Sequence, residues 1–399
     1  MPRSWKSLAV AAVVVLSLLG TQFAAACPFC ASPSLTLAEQ VAQSDATALV
    51  QWVSGTKAVE GTEGSTVFEV KQIVRNYKGS LKVGDKLTLP RYRASKVGDL
   101  SLVLGTQTGK ANNLEWGSPL EVTEASFNYI AQAPSPETPV AKRLEYYAKF
   151  LEFSDELVSN DAYGEFANAP YADIALISNK LPRDKIRKWV MSPETPATRL
   201  GLYGLLIGLC GTPDDAKLVE AKITAATDDY RLGIDGLISG YLLLTGTKGL
   251  TIIDETKLRN RDVKFSETYA AMSAVRFMWQ YGDGRIEKER LRESMRILLD
   301  RPELADLVIA DLCRWNDWSI QDRLMKMYGE GEFNIPSMKR AIVRYMLVAS
   351  KDVPKEAVAG DNSKLPEHVE KARKYLAELR VKDEKTVAEA ELYFLPNNR

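Results

Sequence analysis

The feature that most constrains this chain is a regular series of helix breaks in its C-terminal two thirds. The breaks fall at Gly211, Gly246, Gly282, Asp317 and Lys351, at intervals of about 35 residues. An interval of this length suits one helix pair per repeat. A helix pair buries its apolar stripe only against neighbouring pairs, so stacked repeats share one continuous core. The pattern predicts an α-solenoid of helix pairs over residues 140–399.

The segments between the breaks have the apolar spacing of one-sided helices. The first predicted pair covers residues 143–153 and 156–168, with Ser154 as the cap of its second helix. Pro213 and Pro302 each stand in the first turn of a predicted helix, where proline is favoured. Residues 140–399 are loosely similar to HEAT repeats, and that resemblance implies the same stacking of helix pairs.

The region before residue 130 has a different pattern. Thr36 and Glu39 form a capping box for a short helix that is predicted to end near Ser44. Strand-like segments then follow, separated by glycine-rich turns, at residues 48–53, 66–74, 86–92, 100–104 and 114–122. Alternation along the second segment directs Phe68 and Val70 towards a core. Five short strands predict a small β-barrel.

Proline marks the predicted boundary between these two regions. Residues 133–139 contain three prolines, which disfavour both helix and sheet. The predicted fold class is therefore multidomain, β then α. We expect a β-barrel domain at 27–130, a proline-rich linker at 131–139 and a helical repeat domain at 140–399.

Several motifs of the first region resemble the netrin-like domain of tissue inhibitors of metalloproteinases. They are a cysteine pair at Cys27 and Cys30, a short helix, and the segments 45–50, 68–73 and 77–79. The resemblance implies a five-stranded, OB-like β-barrel. In those inhibitors the amine and carbonyl of the first cysteine chelate a protease zinc, a role that would fall to Cys27. This chain has Cys-x-x-Cys instead of Cys-x-Cys, and no later cysteine within the barrel.

The first 26 residues have the pattern of a secretory signal peptide. Arg3 and Lys6 precede an apolar run at 8–19, and small residues stand at Ala24 and Ala26. The run is about a dozen residues, shorter than the roughly 20 that span a bilayer. Ordinary cleavage and lipoprotein processing would both leave Cys27 first. We expect an exported protein, periplasmic or extracellular, with a cell-envelope lipoprotein as the alternative.

The four cysteines lead to two predictions. Cys27 and Cys30 are predicted to form a structural disulfide, with an active redox dithiol as the rival interpretation. Lipidation of Cys27 would prevent that disulfide. Cys210 and Cys313 lie about three repeats apart, beyond the roughly 7 Å that a disulfide spans between Cα atoms. They are predicted to be unpaired core cysteines.

Composition excludes several function classes. Lysine plus arginine and aspartate plus glutamate each number 52, so no broad positive field favours nucleic acid, and a membrane is implied only if Cys27 is lipidated. The single histidine, His368, excludes Ser-His-Asp and Cys-His catalysis, multi-histidine zinc sites and haem attachment. No catalytic residue, metal site or cofactor is expected.

The remaining candidate site is aromatic. Trp315 and Trp318 flank a turn, where two indoles form a stacking platform for a peptide or sugar or simply pack between repeats. Repeats without a catalytic set predict an exported, non-catalytic protein-binding or scaffold protein that has a protein partner. Thiol–disulfide exchange through Cys27 and Cys30, and metalloprotease inhibition through the Cys27 terminus, are the chemical alternatives.

Overall fold

The computed structural model describes residues 27–30, 34–61, 63–108, 114–227, 229–353 and 365–392. The predicted signal peptide at 1–26 lies outside the described residues. The chain forms two compact units, the first ending at Pro182 and the second beginning at Arg183. An antiparallel sheet precedes a series of helices, as the β-then-α prediction requires. The predicted linker at 131–139 lies within the first unit.

The first unit contains a six-stranded antiparallel sheet. Its strands are β1 Ala46–Thr56, β2 Ser65–Arg75, β3 Lys86–Pro90, β4 Leu100–Gln107, β5 Leu114–Trp116 and β6 Leu120–Val122. The order is β3-β2-β1-β4-β5, and β6 also pairs with β4. Within the described residues no pairing joins β3 to β5 or β6, so barrel closure is not found.

The fifth predicted strand is in fact two short strands. β5 pairs with Gly105–Gln107 and β6 with Leu100–Leu102, so both extend along β4. Gly117 and Pro119 lie between them. Proline lacks the N–H that a strand interior must donate, and this interrupts the ladder. The prediction of five strands was wrong for this reason.

One face of the sheet carries its apolar core. Phe68 and Val70 of β2 are buried, as predicted, and they pack with Ala48 and Val50 of β1. β1 lies between β2 and β4 and is buried along its first half. Removing these side chains from water is the main favourable contribution to the stability of this layer.

Five α-helices accompany the sheet in the described part of the first unit. They are α1 Leu37–Gln43, α2 Glu124–Gln132, α3 Val140–Tyr147, α4 Glu156–Asn168 and α5 Tyr171–Leu176. The predicted capping box of Thr36 and Glu39 is confirmed, and Ser44 is the C-cap of α1. The predicted cap Ser154 was wrong. Asp155 caps α4 instead, because its carboxylate accepts a hydrogen bond from the Val158 N–H at 3.2 Å.

The second unit is a helical, solenoid-like arrangement. Its helices are α6 Arg183–Met191, α7 Leu200–Cys210, α8 Pro213–Thr224, α9 Ile234–Thr245, α10 Thr247–Ile253, α11 Phe265–Tyr281, α12 Lys288–Ile297, α13 Pro302–Arg314, α14 Gln321–Met327, α15 Pro336–Ala349, α16 Glu367–Lys382 and α17 Glu384–Leu392. A π-helical turn, Asp254–Arg259, follows α10. Alternate helices pack together, α7 on α9, α9 on α11 and α13 on α15, and α15 also packs on α16.

The predicted breaks coincide with the ends of these alternate helices. Gly211, Gly246 and Gly282 are the C-cap residues of α7, α9 and α11. Asp317 lies two residues after the C-cap of α13, Trp315, and Lys351 directly follows the C-cap of α15, Ser350. The interval of about 35 residues is therefore confirmed as the spacing between successive helix pairs.

Helices α7 and α9 approach each other through glycine. A Cβ atom added at Gly240 of α9 would lie 1.8 Å from the carbonyl oxygen of Gly204 in α7. One added at Gly208 would lie 2.4 Å from the Gly240 Cα. Only glycine permits backbones to pack this closely, so this pair of helices has little room for any side chain at its crossing.

Candidate functional site

The disulfide residues lie at the start of the described chain. The Cys27 and Cys30 sulfurs are 2.00 Å apart, which is disulfide distance. Cys27 is 4% exposed, and its N–H donates a hydrogen bond to the Ala167 carbonyl oxygen, at the end of α4, over 3.2 Å. Its carbonyl accepts one from the Cys30 N–H over 3.3 Å. The two backbone atoms that would chelate zinc are thus both hydrogen-bonded.

The two candidate tryptophans have separate aromatic partners. Trp315 is 6% exposed and stacks on Trp279, with ring centroids 4.2 Å apart. Trp318 is half-buried, and its ring packs against Tyr345 and His368 at 5.3 and 5.7 Å. Trp315 therefore presents little ring surface to solvent, and Trp318 keeps more. Ligand binding to either residue stays a prediction.

His368 takes part in the same contact network as Trp318. The Trp318 Nε1–H donates to Asp352 Oδ2 over 2.6 Å, and His368 Nε2 lies 3.1 Å from the same oxygen. One carboxylate thus joins the turn after α13 to the first turn of α16. This geometry gives His368 a structural role at the junction of two repeats.

A groove between α13 and α15 begins beside Trp318. Its cavity volume is about 430 Å³. Tyr345, which packs on Trp318, lines it together with Cys313. The remaining lining consists of apolar residues and four charged residues: Leu307, Ile309, Ala310, Ala341, Asp306, Arg314, Arg340 and Arg344, with Ser337. Leu307 and Ala310 are exposed, so apolar surface is open to solvent on the groove floor.

Charge in the groove is predominantly positive. Three arginines face one aspartate, Asp306. Arg314 forms an ion pair with Asp311 on its own helix. Arg340 and Arg344, four residues apart on α15 and hence on one helix face, have no ion pair with any described residue. The groove therefore combines exposed apolar surface with two guanidinium groups that no described carboxylate compensates.

The cysteine of the groove is not activated. Burial raises the pKa of the Cys313 thiol to about 11, so it is neutral at physiological pH. Cys210 behaves in the same way, with its pKa raised to about 11 by burial. Both are free and half-buried, so the prediction that they are unpaired is confirmed.

The described residues form neither a metal-binding cluster nor a membrane-spanning helix. In that part of the chain, no group of three or more histidine, cysteine, aspartate or glutamate side chains is placed to hold a metal ion. None of the helices described there combines the length and the apolar character that crossing a membrane requires.

Comparison with known proteins gives no relative to argue from: no family model, no curated protein and no solved structure matches the chain. The site must be interpreted from its own geometry.

Sequence analysis identified the two tryptophans as candidate binding residues but did not identify the arginine pair. Arg340 and Arg344 lie beside the apolar positions Ile342, Tyr345 and Met346, at the edge of the stripe that faces the core. Their spacing of four residues can be recognised in the sequence. Their lack of ion-pair partners cannot, because ion pairing depends on which side chains the neighbouring repeats bring close.

Proposed function

We propose that this chain is an exported, non-catalytic binding protein whose second unit holds an acidic segment of a partner protein in the groove between α13 and α15. One observation carries the proposal. Arg340 and Arg344 have no ion-pair partner among the described residues, and they stand beside exposed apolar surface.

The arginine pair differs from five other arginines of its unit. Arg183, Arg231, Arg276, Arg290 and Arg296 all pair with buried carboxylates of neighbouring helices. Those arginines stabilise the array. Arg340 and Arg344 form no such pair with the described residues, so they are available to bind carboxylates from outside.

The groove supplies both components of peptide recognition. Its apolar floor removes leucine-sized side chains from water, which provides affinity. The guanidinium groups on its edge select acidic residues, and complementary charge mainly adds specificity and faster association. A partner segment with apolar residues at helical spacing and glutamate or aspartate beside them fits both requirements.

The resemblances to HEAT repeats and to the netrin-like domain are part of this proposal. Helical repeats offer extended binding surfaces, which supports a protein partner. The chemical alternatives have less support. Zinc chelation by Cys27 would have to replace the hydrogen bonds to Ala167 and Cys30. Redox exchange would need an accessible sulfur at Cys27, which is buried.

A synthetic peptide tests the groove directly. The probe is a fluorescent peptide as long as α15, 14 residues, with leucine at helical spacing and glutamate at the other positions. Fluorescence anisotropy with the full chain measures its affinity. The double variant Arg340→Ala, Arg344→Ala is expected to weaken binding about tenfold or more. Salt near 1 M is expected to weaken it as well, since the Debye length falls to about 3 Å.

The control removes the same charge elsewhere. Lys185 and Lys188 are exposed on one face of α6, and Lys185→Ala, Lys188→Ala should leave peptide affinity unchanged. Peptides with glutamine or lysine in place of glutamate should bind more weakly than the original. Equal binding of the glutamine peptide, or equal losses in the two double variants, would refute an acid-selective groove.

Export is tested separately by intact mass spectrometry of the natively produced protein, before and after reduction. A mature form that begins at Cys27 and gains two hydrogens on reduction supports export with a Cys27–Cys30 disulfide. A diacylglyceryl mass on Cys27 supports the lipoprotein form and excludes that disulfide. Retention of residues 1–26 in the mature protein would overturn this part of the proposal.

A further inference from the structure

A second cavity lies within the first unit, apart from the groove. Its volume is about 290 Å³, and α1, the end of β2, α2 and residues 133–137 surround it. Leu37, Val41 and Ile130 provide apolar walls. Asp161 of α4 and Tyr129 of α2 add polar groups to the lining. Arg75 and Glu137 also line it, so polar and apolar surface contribute about equally to the cavity wall.

Asp161 is held in place by two hydrogen bonds. Its Oδ1 accepts from the Leu37 N–H over 2.6 Å, and its Oδ2 accepts from the Tyr129 hydroxyl over 2.7 Å. Both donors are neutral. The residue is 8% exposed, so the charge of the carboxylate is largely removed from water. A buried carboxylate is costly unless a positive charge compensates it.

The other buried carboxylates of the described chain show what is missing at Asp161. Six of them lie within 4.0 Å of an arginine or lysine nitrogen: Glu165, Asp215, Asp254, Glu267, Asp311 and Asp317. Asp161 is the seventh, and it forms no ion pair with any described residue. Asp161 also lines the cavity.

The groups around Asp161 reinforce the need for a cation. Glu39 of α1 and Glu165, one helical turn along α4, are both acidic. Arg143 forms an ion pair with Glu165 at 3.4 Å, so the positive charge of Arg143 is compensated by Glu165. Burial raises the pKa of Asp161, against the lowering effect of its bonds to Leu37 and Tyr129. Arg75, a cation that also lines the cavity, donates from Nη1 to the carbonyls of Val41 and Ala42 at the end of α1 and forms no ion pair with Asp161.

We propose that this cavity binds a small organic ammonium compound with an apolar body. Its ammonium group donates to Asp161 and supplies the positive charge that the other six buried carboxylates receive from arginine or lysine. Its apolar body packs against Leu37, Val41 and Ile130. A volume of about 290 Å³ is at the lower end of ligand cavities, which suits a single ring or a short chain. This site is independent of the peptide groove.

The probe for this proposal is 2-phenylethylamine, with 2-phenylethanol and phenylacetate as neutral and anionic counterparts of similar shape. Isothermal titration calorimetry on the full chain measures binding near neutral pH, where the amine is protonated. The amine is expected to bind at least about tenfold more tightly than the alcohol, and phenylacetate is expected not to bind. Equal binding of amine and alcohol would overturn the assignment of a cation site.

Two variants locate the binding. Asp161→Asn removes the charge and is expected to reduce amine affinity at least about tenfold. The control Asp235→Asn changes a partly buried carboxylate of the second unit and should leave affinity unchanged. Ala131→Phe fills the cavity from its half-buried edge without altering the hydrogen bonds of Asp161, and it should abolish binding. Full amine binding by Ala131→Phe would place the ligand elsewhere and refute the proposal, whether or not Asp161→Asn folds.

Discussion

In the second unit Glu267 lies between two cations, whereas in the first unit Asp161 lies between a backbone amide and a tyrosine. Arg231 and Lys257 both contact Glu267 within 2.7 Å. Although burial alone would raise its pKa, hydrogen bonds to these cations lower the pKa of Glu267 below its usual value. For Asp161, burial prevails and the pKa is raised.

This difference separates two uses of a buried acid. In the helical array, ion pairs join one repeat to the next: Arg183 to Asp215, Arg231 to Glu267 and Arg276 to Asp311, at separations of 32, 36 and 35 residues. Each pair has its charge compensated within the chain. Asp161 forms no ion pair with the described residues and borders a cavity, where the proposed ligand or a proton would compensate its charge.

The largest effect is expected when a compensated site in the second unit is broken. Glu267→Gln leaves Lys257, whose side chain is 6% exposed, without a counter-charge. Removing one partner of a buried ion pair typically costs about 3–5 kcal/mol of unfolding free energy. Hydrogen exchange of peptides from α10 to α12, measured with increasing denaturant, would report this loss.

The matched control for that variant is Glu255→Gln. Glu255 is 65% exposed and pairs with Arg259 one helical turn away. Exposed pairs of this kind contribute about 0.3–0.5 kcal/mol, so the control should be nearly neutral. Similar losses in both variants would show that burial does not distinguish the two ion pairs.

A much smaller effect is expected at the uncompensated site. Asp161→Asn leaves no buried cation unpaired, and the new amide keeps one oxygen to accept from Leu37 or Tyr129. Loss of one hydrogen bond is offset by removal of a buried charge, so unfolding free energy should change by about 1 kcal/mol or less. Exchange protection of α1 and α4 measures it. A loss as large as that of Glu267→Gln would mean that Asp161 is a structural residue of the same kind.

The smallest and most selective effect is in pH dependence. The folded pKa of Glu267 is lowered, so its contribution to stability is present above its unfolded pKa and is lost as pH falls through the folded value. The folded pKa of Asp161 is raised, so the sign is opposite: its charge destabilises the fold at neutral pH, and acid relieves that penalty.

Two difference curves test these signs. The stability lost in Glu267→Gln relative to the wild type should shrink towards acid pH. Any stability gained in Asp161→Asn should also shrink towards acid pH, since the wild-type carboxyl is then neutral. Denaturation followed locally by hydrogen exchange from about pH 4 to pH 7 separates the two units. A gain for Asp161→Asn that grows in acid would contradict the raised pKa.

Local signals in the sequence predicted much of the fold. The capping box at Thr36 and Glu39 and the five breaks that end alternate helices were placed correctly, because each depends on a few neighbouring residues. The β-then-α order followed from a change in hydrophobic period. Two boundaries were predicted wrongly because each depends on a single residue. Asp155, not Ser154, caps α4, and Pro119 divides the last predicted strand into two.

The candidate sites were less predictable. Trp315 and Trp318 stood out by residue type, yet the structure gives them different partners, Trp279 and Tyr345. Asp161 gave no signal at all, because its significance depends on Leu37 and Tyr129, which are 124 and 32 residues away. Sequence spacing does not encode which buried acid remains without a cation.

By itself, the sequence determined the period of the helical array and the start and end of many elements, since hydrophobic spacing, proline, glycine and capping residues act over one or two turns. Tertiary structure alone decided the closeness of α7 to α9, the pairing of the arginines and the isolation of Asp161. Desolvation and charge compensation depend on everything that packs within a few ångströms, and in a folded chain those neighbours come from distant positions.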